Sequence, residues 1–402
     1  MQLSLLPDSS VQSLTPRDLP AGVIEGLYVH IPFCFHKCHY CDFYSITRQS
    51  TERMHTFVDR LLREAEQWQA GRSVRPSTIF FGGGTPSLLP IDQMRRLIEG
   101  LHGRFDLSAV NEWTVEANPA TVTAEYCAML REQGVDRLSF GAQSFRPSEL
   151  ATLERHHDPA DVPRSIDIAL AAGFTRLNVD LIFAIPGQDM ASWSESLESA
   201  IALNTPHLSC YALTYEPNTP MAVRKRLGHF TAVDEDIELA MLHHTRDRLI
   251  EIGRPPYEVS NFAAPGEACR HNVNYWTGGN YIGLGPSAAS HVQGWRWRNR
   301  PHLGEWEAAI DAGDLPATEI EVLTPSRRAG ELAMLMLRLE SGINFGQFNQ
   351  RTGKDVRQLY RDVVERLARL ELLDATSQTI RLTRAGINVA DAVAAEFLEP
   401  TD

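Results

Sequence analysis

From residue 26 onward, short β-rich runs alternate with stretches whose apolar residues recur every three to four positions. Residues 26–33 (GLYVHIPF) form the first strand candidate, and apolar 3–4 spacing predicts a helix over 51–68. The same pairing recurs as strand 77–81 with helix 91–101, strand 112–117 with helix 124–133, and strand 137–143 with helix 160–172. It recurs twice more, as strand 176–185 with helix 191–203, and strand 207–214 with helix 234–252.

Six strand–helix units in succession demand right-handed crossovers, which make the strands parallel in one sheet. Apolar strand runs such as LIFAI suit burial on both faces. The expected fold class is α/β, an open (β/α)6 partial barrel, whose ligands sit beyond the carboxyl ends of the strands. The expected organisation is a flexible leader over 1–25, the barrel over 26–255, connecting strands and loops over 256–323, and a smaller, mostly helical C-terminal domain over 324–402. A short strand at 379–383 and a last helix at 387–397 leave two readings of that domain, a winged helix or a plain helical cap.

Composition narrows the function classes. The 402 residues are 43% apolar and 22% charged, ordinary for a soluble globular protein. A formal net charge of −13 disfavours broad nucleic-acid binding, so no nucleic-acid partner is expected. The leader lacks the basic start and apolar core of a signal peptide, and no apolar run reaches 18 residues, so a cytoplasmic location is expected. Six cysteines are too sparse for a disulfide scaffold, and three of them fall within eight residues.

That trio, Cys34, Cys38 and Cys41 in PFCFHKCHYCDFYS, is spaced C-x3-C-x2-C at the end of the first strand. Three thiolates on one loop can ligate three irons of a cubane cluster and leave the fourth to a small-molecule chelate. The alternative is tetrahedral zinc with His36 or His39 as fourth ligand, but no second cysteine pair accompanies the loop. After the second strand comes FFGGGTPS, containing Gly83, Gly84 and Thr85; its glycines allow close backbone approach, and no GK[ST] follows to make a phosphate loop. Glu116, Gln143 and Asp180 fall near later strand ends, with Arg155 shortly beyond the fourth. Arg155 suits a carboxylate as a two-pronged donor, and the two acids suit hydroxyls or an amine.

These features resemble the radical SAM superfamily, and VHIPFC with YCDF is similar to its HemN/HemW group. The resemblance implies a [4Fe–4S] cluster on the three cysteines and S-adenosylmethionine bound by Tyr28, Tyr40, Gly83, Gly84, Thr85, Glu116, Gln143, Arg155 and Asp180. It also implies reductive cleavage of that sulfonium, with an electron from a donor such as a flavodoxin or ferredoxin.

Two departures separate the branches of the group. The coproporphyrinogen III oxidases carry a fourth cysteine two residues after the third, where this chain has Phe43. Their substrate-contacting N-terminal extension has no counterpart in residues 1–25. Conversely, HNVNYW (271–276) resembles the HNxxYW motif linked to heme in the chaperone branch. A neutral imidazole from His271 would serve as an axial ligand, with Cys269 as a softer alternative, and Tyr275 and Trp276 as walls for a macrocycle. The resemblance therefore implies a heme chaperone with heme as cargo, handing it to acceptor hemoproteins; oxygen-independent coproporphyrinogen oxidation is the alternative. Transient contact with a membrane surface and a homodimer are further expectations of the family.

Overall fold

The computed structural model describes residues 13–398. Six strands, β1 (Gly26–Ile31), β2 (Thr78–Gly83), β3 (Glu112–Ala117), β4 (Arg137–Gln143), β5 (Arg176–Phe183) and β6 (His207–Ala212), run parallel in chain order. Helices Thr51–Gly71, Ile91–His102, Ala124–Glu132, Asp161–Ala171, Met190–Ala202 and Glu235–Glu251 return the chain between and after them. Their starts carry side-chain caps where the sequence supplies them: Ser50 accepts from Arg53 N–H, Thr123 from Tyr126 N–H, and Asp189 forms a capping box with Ser192.

The segment from 256 to 323 serves both edges of this sheet. β7 (Asn261–Ala263) pairs antiparallel with β6. β8 (Tyr281–Leu284) pairs parallel with β1, and β9 (Ala289–Val292), β10 (Trp295–Asn299) and β11 (Ala317–Val322) extend that edge to eleven strands in all.

Alternation along each strand divides its side chains between two environments. Leu27, Val29, Ile31, Ile79, Phe81, Trp113 and Val115 are buried in the main apolar core. The intervening positions carry Thr78, Glu112, Thr114, Arg137, Ser139 and Asn178, all buried and all polar. Burial on both faces is as expected, but the inner face is a polar lumen and not an apolar one.

The expected flexible leader is corrected where it can be seen. Residues 1–12 lie outside the described residues, whereas Leu14, Leu19 and Ile24 join the main core. The Arg72 guanidinium donates to the carbonyls of Pro20 (2.8 Å) and Gly22 (2.6 Å), tying this stretch to the end of the first helix.

After helix Pro325–Met336 come β12 (Ile343–Asn344), helices Phe345–Thr352, Val356–Leu359 and Arg361–Arg369, and the hairpin β13 (Leu373–Ala375) and β14 (Thr379–Leu382). The sheet order β12-β14-β13, behind helices with a separate apolar core that includes Met336, Phe348 and Phe397, matches a winged helix and not a plain helical cap. The single last helix expected at 387–397 is instead two short helices, Arg384–Asn388 and Ala390–Ala395. Arg351 forks onto Glu25 (2.8 and 3.0 Å), binding this unit to the start of β1.

At the amino ends of the strands, Glu112 is wholly buried and accepts from Arg176 at 2.7 Å and from the backbone N–H groups of Arg270 (3.0 Å) and His271 (2.9 Å). Burial pushes its carboxyl up, but Arg137, those two N–H groups and Arg176 together hold it below the usual carboxylate range. Arg176 also reaches Asp136 (2.9 Å) and Glu267 (3.1 Å). Removing one member of such a set strands the others in low dielectric. Glu112→Ala is expected to lower unfolding free energy in urea by about 3–5 kcal/mol. Asp136→Ala, at the wetter edge, is expected to cost about 1 kcal/mol; equal costs would contradict this assignment.

Candidate functional site

The cysteine loop leaves the carboxyl end of β1 and is pinned by its backbone. Cys34 N–H donates to Ile46 O (2.9 Å), Ile46 N–H to Pro32 O (2.8 Å), Cys41 N–H to Cys38 O (3.2 Å) and His39 N–H to Leu153 O (3.3 Å). Thr85 Oγ1 donates to the Cys34 sulfur and Arg155 Nη1 to the Cys38 sulfur, each at 3.7 Å. Burial raises the Cys34 thiol and pushes the Cys41 thiol to about 11, so a bound cation is needed to favour their thiolates.

The donor set discriminates between the two metals weighed from sequence. Zinc bonds of about 2.3 Å place tetrahedral sulfurs roughly 3.8 Å apart. The three sulfurs here do not all lie within 4.8 Å of one another. His36 instead lies 3.6 Å from a Glu154 oxygen that His156 also approaches (3.8 Å), and His39 Nδ1 pairs with Arg224 (3.1 Å). A loop whose three sulfurs are not drawn together to zinc spacing, with His36 and His39 engaged by Glu154 and Arg224, fits a cubane better than zinc.

The glycine run sits at the end of β2 against this loop. Gly83 has φ +101°, and a Cβ on it would lie 2.4 Å from the His30 ring; one on Gly84 would lie 2.7 Å from Ile31 O. The N–H groups of Gly83, Gly84 and Thr85 are used internally, on Glu116 (3.2 Å), Ile31 O (2.9 Å) and Phe33 O (2.7 Å). The glycines are thus required by the protein's own packing, and their backbone contact to a ligand must come through carbonyl oxygens.

Glu116 and Asp180 face each other in the lumen near this end. Burial, then the charge of Asp180, pushes the Glu116 carboxyl up to about 8. Burial likewise raises Asp180, which accepts from Asn178 (2.7 Å) and Ser139 (3.2 Å). Gln143 stands at a left-handed position (φ 65°) where the β4–β5 register slips. Arg155 Nη2 donates to Gly141 O (2.7 Å) beside it, while Arg155 Nε has no hydrogen-bond partner and no carboxylate pairs with the guanidinium among the described residues. Tyr40 packs with Leu153, Ile182 and Met221 next to Arg155. Tyr28 donates to, or accepts from, His30 Nδ1 at 3.0 Å.

The structure therefore gathers Cys34, Cys38, Cys41, Tyr28, Tyr40, Gly83, Gly84, Thr85, Glu116, Gln143, Arg155 and Asp180 at one end of the barrel. It adds His30, whose Nε2 lies 2.8 Å from Tyr44 O and whose imidazole burial pushes down to about 4. Two-residue alternation from Tyr28 was the signal that places His30 on the same face.

His271 is not in this group. It lies at the opposite, amino end, 2.8 Å through Nδ1 from Thr78 Oγ1 at the start of β2 and 2.8 Å through Nε2 from the Tyr275 hydroxyl. It is wholly buried, and burial lowers its imidazole to about 4. Both nitrogens are engaged, so the expectation that it offers a free nitrogen to heme iron does not fit this geometry. Cys269, also buried, faces Glu112 at 3.4 Å and offers no exposed sulfur. Rings connect the two ends: Tyr275–His271 (4.7 Å between centroids), His271–Phe80 (5.4 Å) and Phe80–Tyr28 (6.3 Å).

Comparison with known proteins agrees with this architecture. The Radical SAM superfamily description matches residues 28–200, and the HemN C-terminal domain matches 323–389. The chain is 34% identical to the heme chaperone HemW of Mycobacterium tuberculosis over 95% of this chain and 98% of that protein. It is 32% identical to that of Lactococcus lactis over 93% and 97%, and 39% identical to that of Escherichia coli over 66% and 70%. Among solved structures, the Escherichia coli coproporphyrinogen III oxidase HemN shares the fold, with a TM-score of 0.81 and 22% identity over 93% of this chain and 90% of that one. The lumen-facing polar rows, the cysteine loop and relatives matched from end to end converge: the chain belongs to the radical SAM superfamily and, within it, to the HemW family.

Proposed function

We propose that this protein is a heme chaperone: it binds heme as cargo and passes it to acceptor hemoproteins. The observation that carries the reading is near full-length similarity to several heme chaperones, combined with Phe43, 67% exposed, where an oxidase would present a fourth cysteine.

Cys34, Cys38 and Cys41 would hold a [4Fe–4S] cluster, which supplies low-potential electrons to a bound sulfonium. Arg155 would take the carboxylate of S-adenosylmethionine, since its guanidinium has a vacant donor and no acidic partner. Glu116 and Asp180 would accept from its amine or ribose hydroxyls, and Gly83, Gly84, Thr85, Gln143, Tyr28 and Tyr40 would complete the pocket. A flavodoxin or ferredoxin would supply electrons. No helix among the described residues is long and apolar enough to cross a membrane; we place the protein in the cytoplasm, with delivery at a membrane surface and a homodimer as parts of the same reading.

Three outcomes follow for the anaerobically reconstituted protein. Arg155→Ala should weaken S-adenosylmethionine binding by about tenfold or more in calorimetry, and an unchanged affinity would remove Arg155 from the site. Because Glu116 is largely protonated below about 8, binding that needs its carboxylate should tighten as pH rises from about 6 to 8, with a flat profile in Glu116→Gln. A profile unchanged by that substitution would assign the dependence elsewhere. Finally, hemin should bind without turnover of coproporphyrinogen III in the presence of dithionite and S-adenosylmethionine; steady product formation at enzyme-like rates would make the protein an oxidase.

A further inference from the structure

A cavity distinct from the cysteine loop lies between the β8–β11 extension and helix Pro325–Met336, and encloses about 650 Å³. That volume is within the range of small-molecule sites, and it has room for a macrocycle. The HNxxYW helix, Arg270–Trp276, forms part of its wall through Tyr275 and Trp276. Tyr281 joins them, its ring 4.4 Å from that of Tyr275, and Leu332 and Leu335 face them from the C-terminal unit. The Trp276 indole N–H is buried without a hydrogen-bond partner.

The charges of the cavity do not cancel within it. Arg296 is committed to Glu321 and Glu331, and Arg351 to Glu25. Arg298 and Arg328 have no carboxylate partner among the described residues: Arg298 donates to Ser287, and Arg328 to Gln293 Oε1 at 2.9 Å. Burial, and then the Arg351 charge, lowers Arg328 from its ordinary value, so an incoming carboxylate would relieve a cost already present. Glu319, exposed, is the one acidic side chain in the lining without an arginine partner.

Aromatic and aliphatic walls with two spare guanidinium groups match a flat apolar ring bearing two carboxylates. We infer that this cavity, and not the cysteine end of the barrel, is the heme site, with Arg298 and Arg328 pairing the propionates and Tyr275, Trp276 and Tyr281 packing on the macrocycle. On this account HNxxYW acts as a wall: His271 fixes the Tyr275 hydroxyl from behind (2.8 Å), while Glu112 anchors the helix start. The inference rests on the heme-chaperone reading and adds the location and the recognition chemistry.

The test titrates full-length protein with hemin and with hemin dimethyl ester, which lacks free carboxylates, following the Soret band. Wild type should prefer hemin to the ester by about tenfold or more. Arg298→Ala/Arg328→Ala should lose that preference while binding the ester as wild type does. Ala289→Trp, from an exposed position on the cavity wall, should weaken both ligands by blocking the space. Hemin binding and ester discrimination unchanged in both variants would overturn the location and leave the chaperone reading standing. Failure of wild type to bind hemin at all would overturn that reading and the cavity assignment with it. Iron and sulfide content equal to wild type shows that each variant is folded, because the cysteine end is untouched.

Discussion

Parallel strands joined by right-handed helical crossovers all end on the same side, and this polarity organises the molecule. Residues that close a strand, such as Glu116 and Gln143, meet at the carboxyl end with the cysteine loop. Residues that open a strand, Thr78, Glu112, Arg137, Arg176 and His207, meet at the amino end. A six-residue strand spans about 20 Å, so one barrel carries two differently built ends. The first is a polar pocket with an unpaired guanidinium; the second is an ionic knot that grips the helix Arg270–Trp276.

Electrostatics differ at the two ends in a way that fits the uses proposed for them. At the carboxyl end, half-buried Glu116 and Asp180 have no directly bonded cation among the described residues, and burial raises both. Such a pair is expensive until a cationic ligand arrives. At the amino end, Glu112 is over-satisfied by Arg176, Arg137 and two backbone N–H groups, and it stays ionised. That end is rigid by construction. A wall for a bound macrocycle needs that rigidity, whereas a pocket for an exchangeable sulfonium needs groups left unsatisfied.

Local signals carried most of the barrel. The strands starting at Glu112 and Arg137 are read from sequence to the residue, because two-residue alternation and turn chemistry bracket them. Clustering of Glu116, Gln143, Arg155 and Asp180 follows from topology alone. Three things were hidden. The return of residues 256–323 to both sheet edges begins with β7 and β8, strands of three and four residues, too short for periodicity. The place of His271 is set by contacts with Glu112 and Thr78, 159 and 193 residues away, and no neighbouring residue announces them. The packing of Leu14, Leu19 and Ile24 has no helical or strand spacing, and it depends on Arg72 reaching back to Pro20 and Gly22. The glycine run has a further cause that the sequence does not announce, since His30 and Ile31 stand where a Cβ on Gly83 or Gly84 would lie.

The central claim is spatial: iron–sulfur chemistry at the cysteine loop, and tetrapyrrole in the separate cavity between the β8–β11 extension and helix Pro325–Met336. Anomalous diffraction at the iron edge from crystals of the reconstituted protein with hemin bound measures this directly. The account predicts heme density between Tyr275, Trp276 and Tyr281, with its two carboxylates at Arg298 and Arg328. Heme density beside Arg155 and the cysteine loop, with the cavity empty, would contradict it.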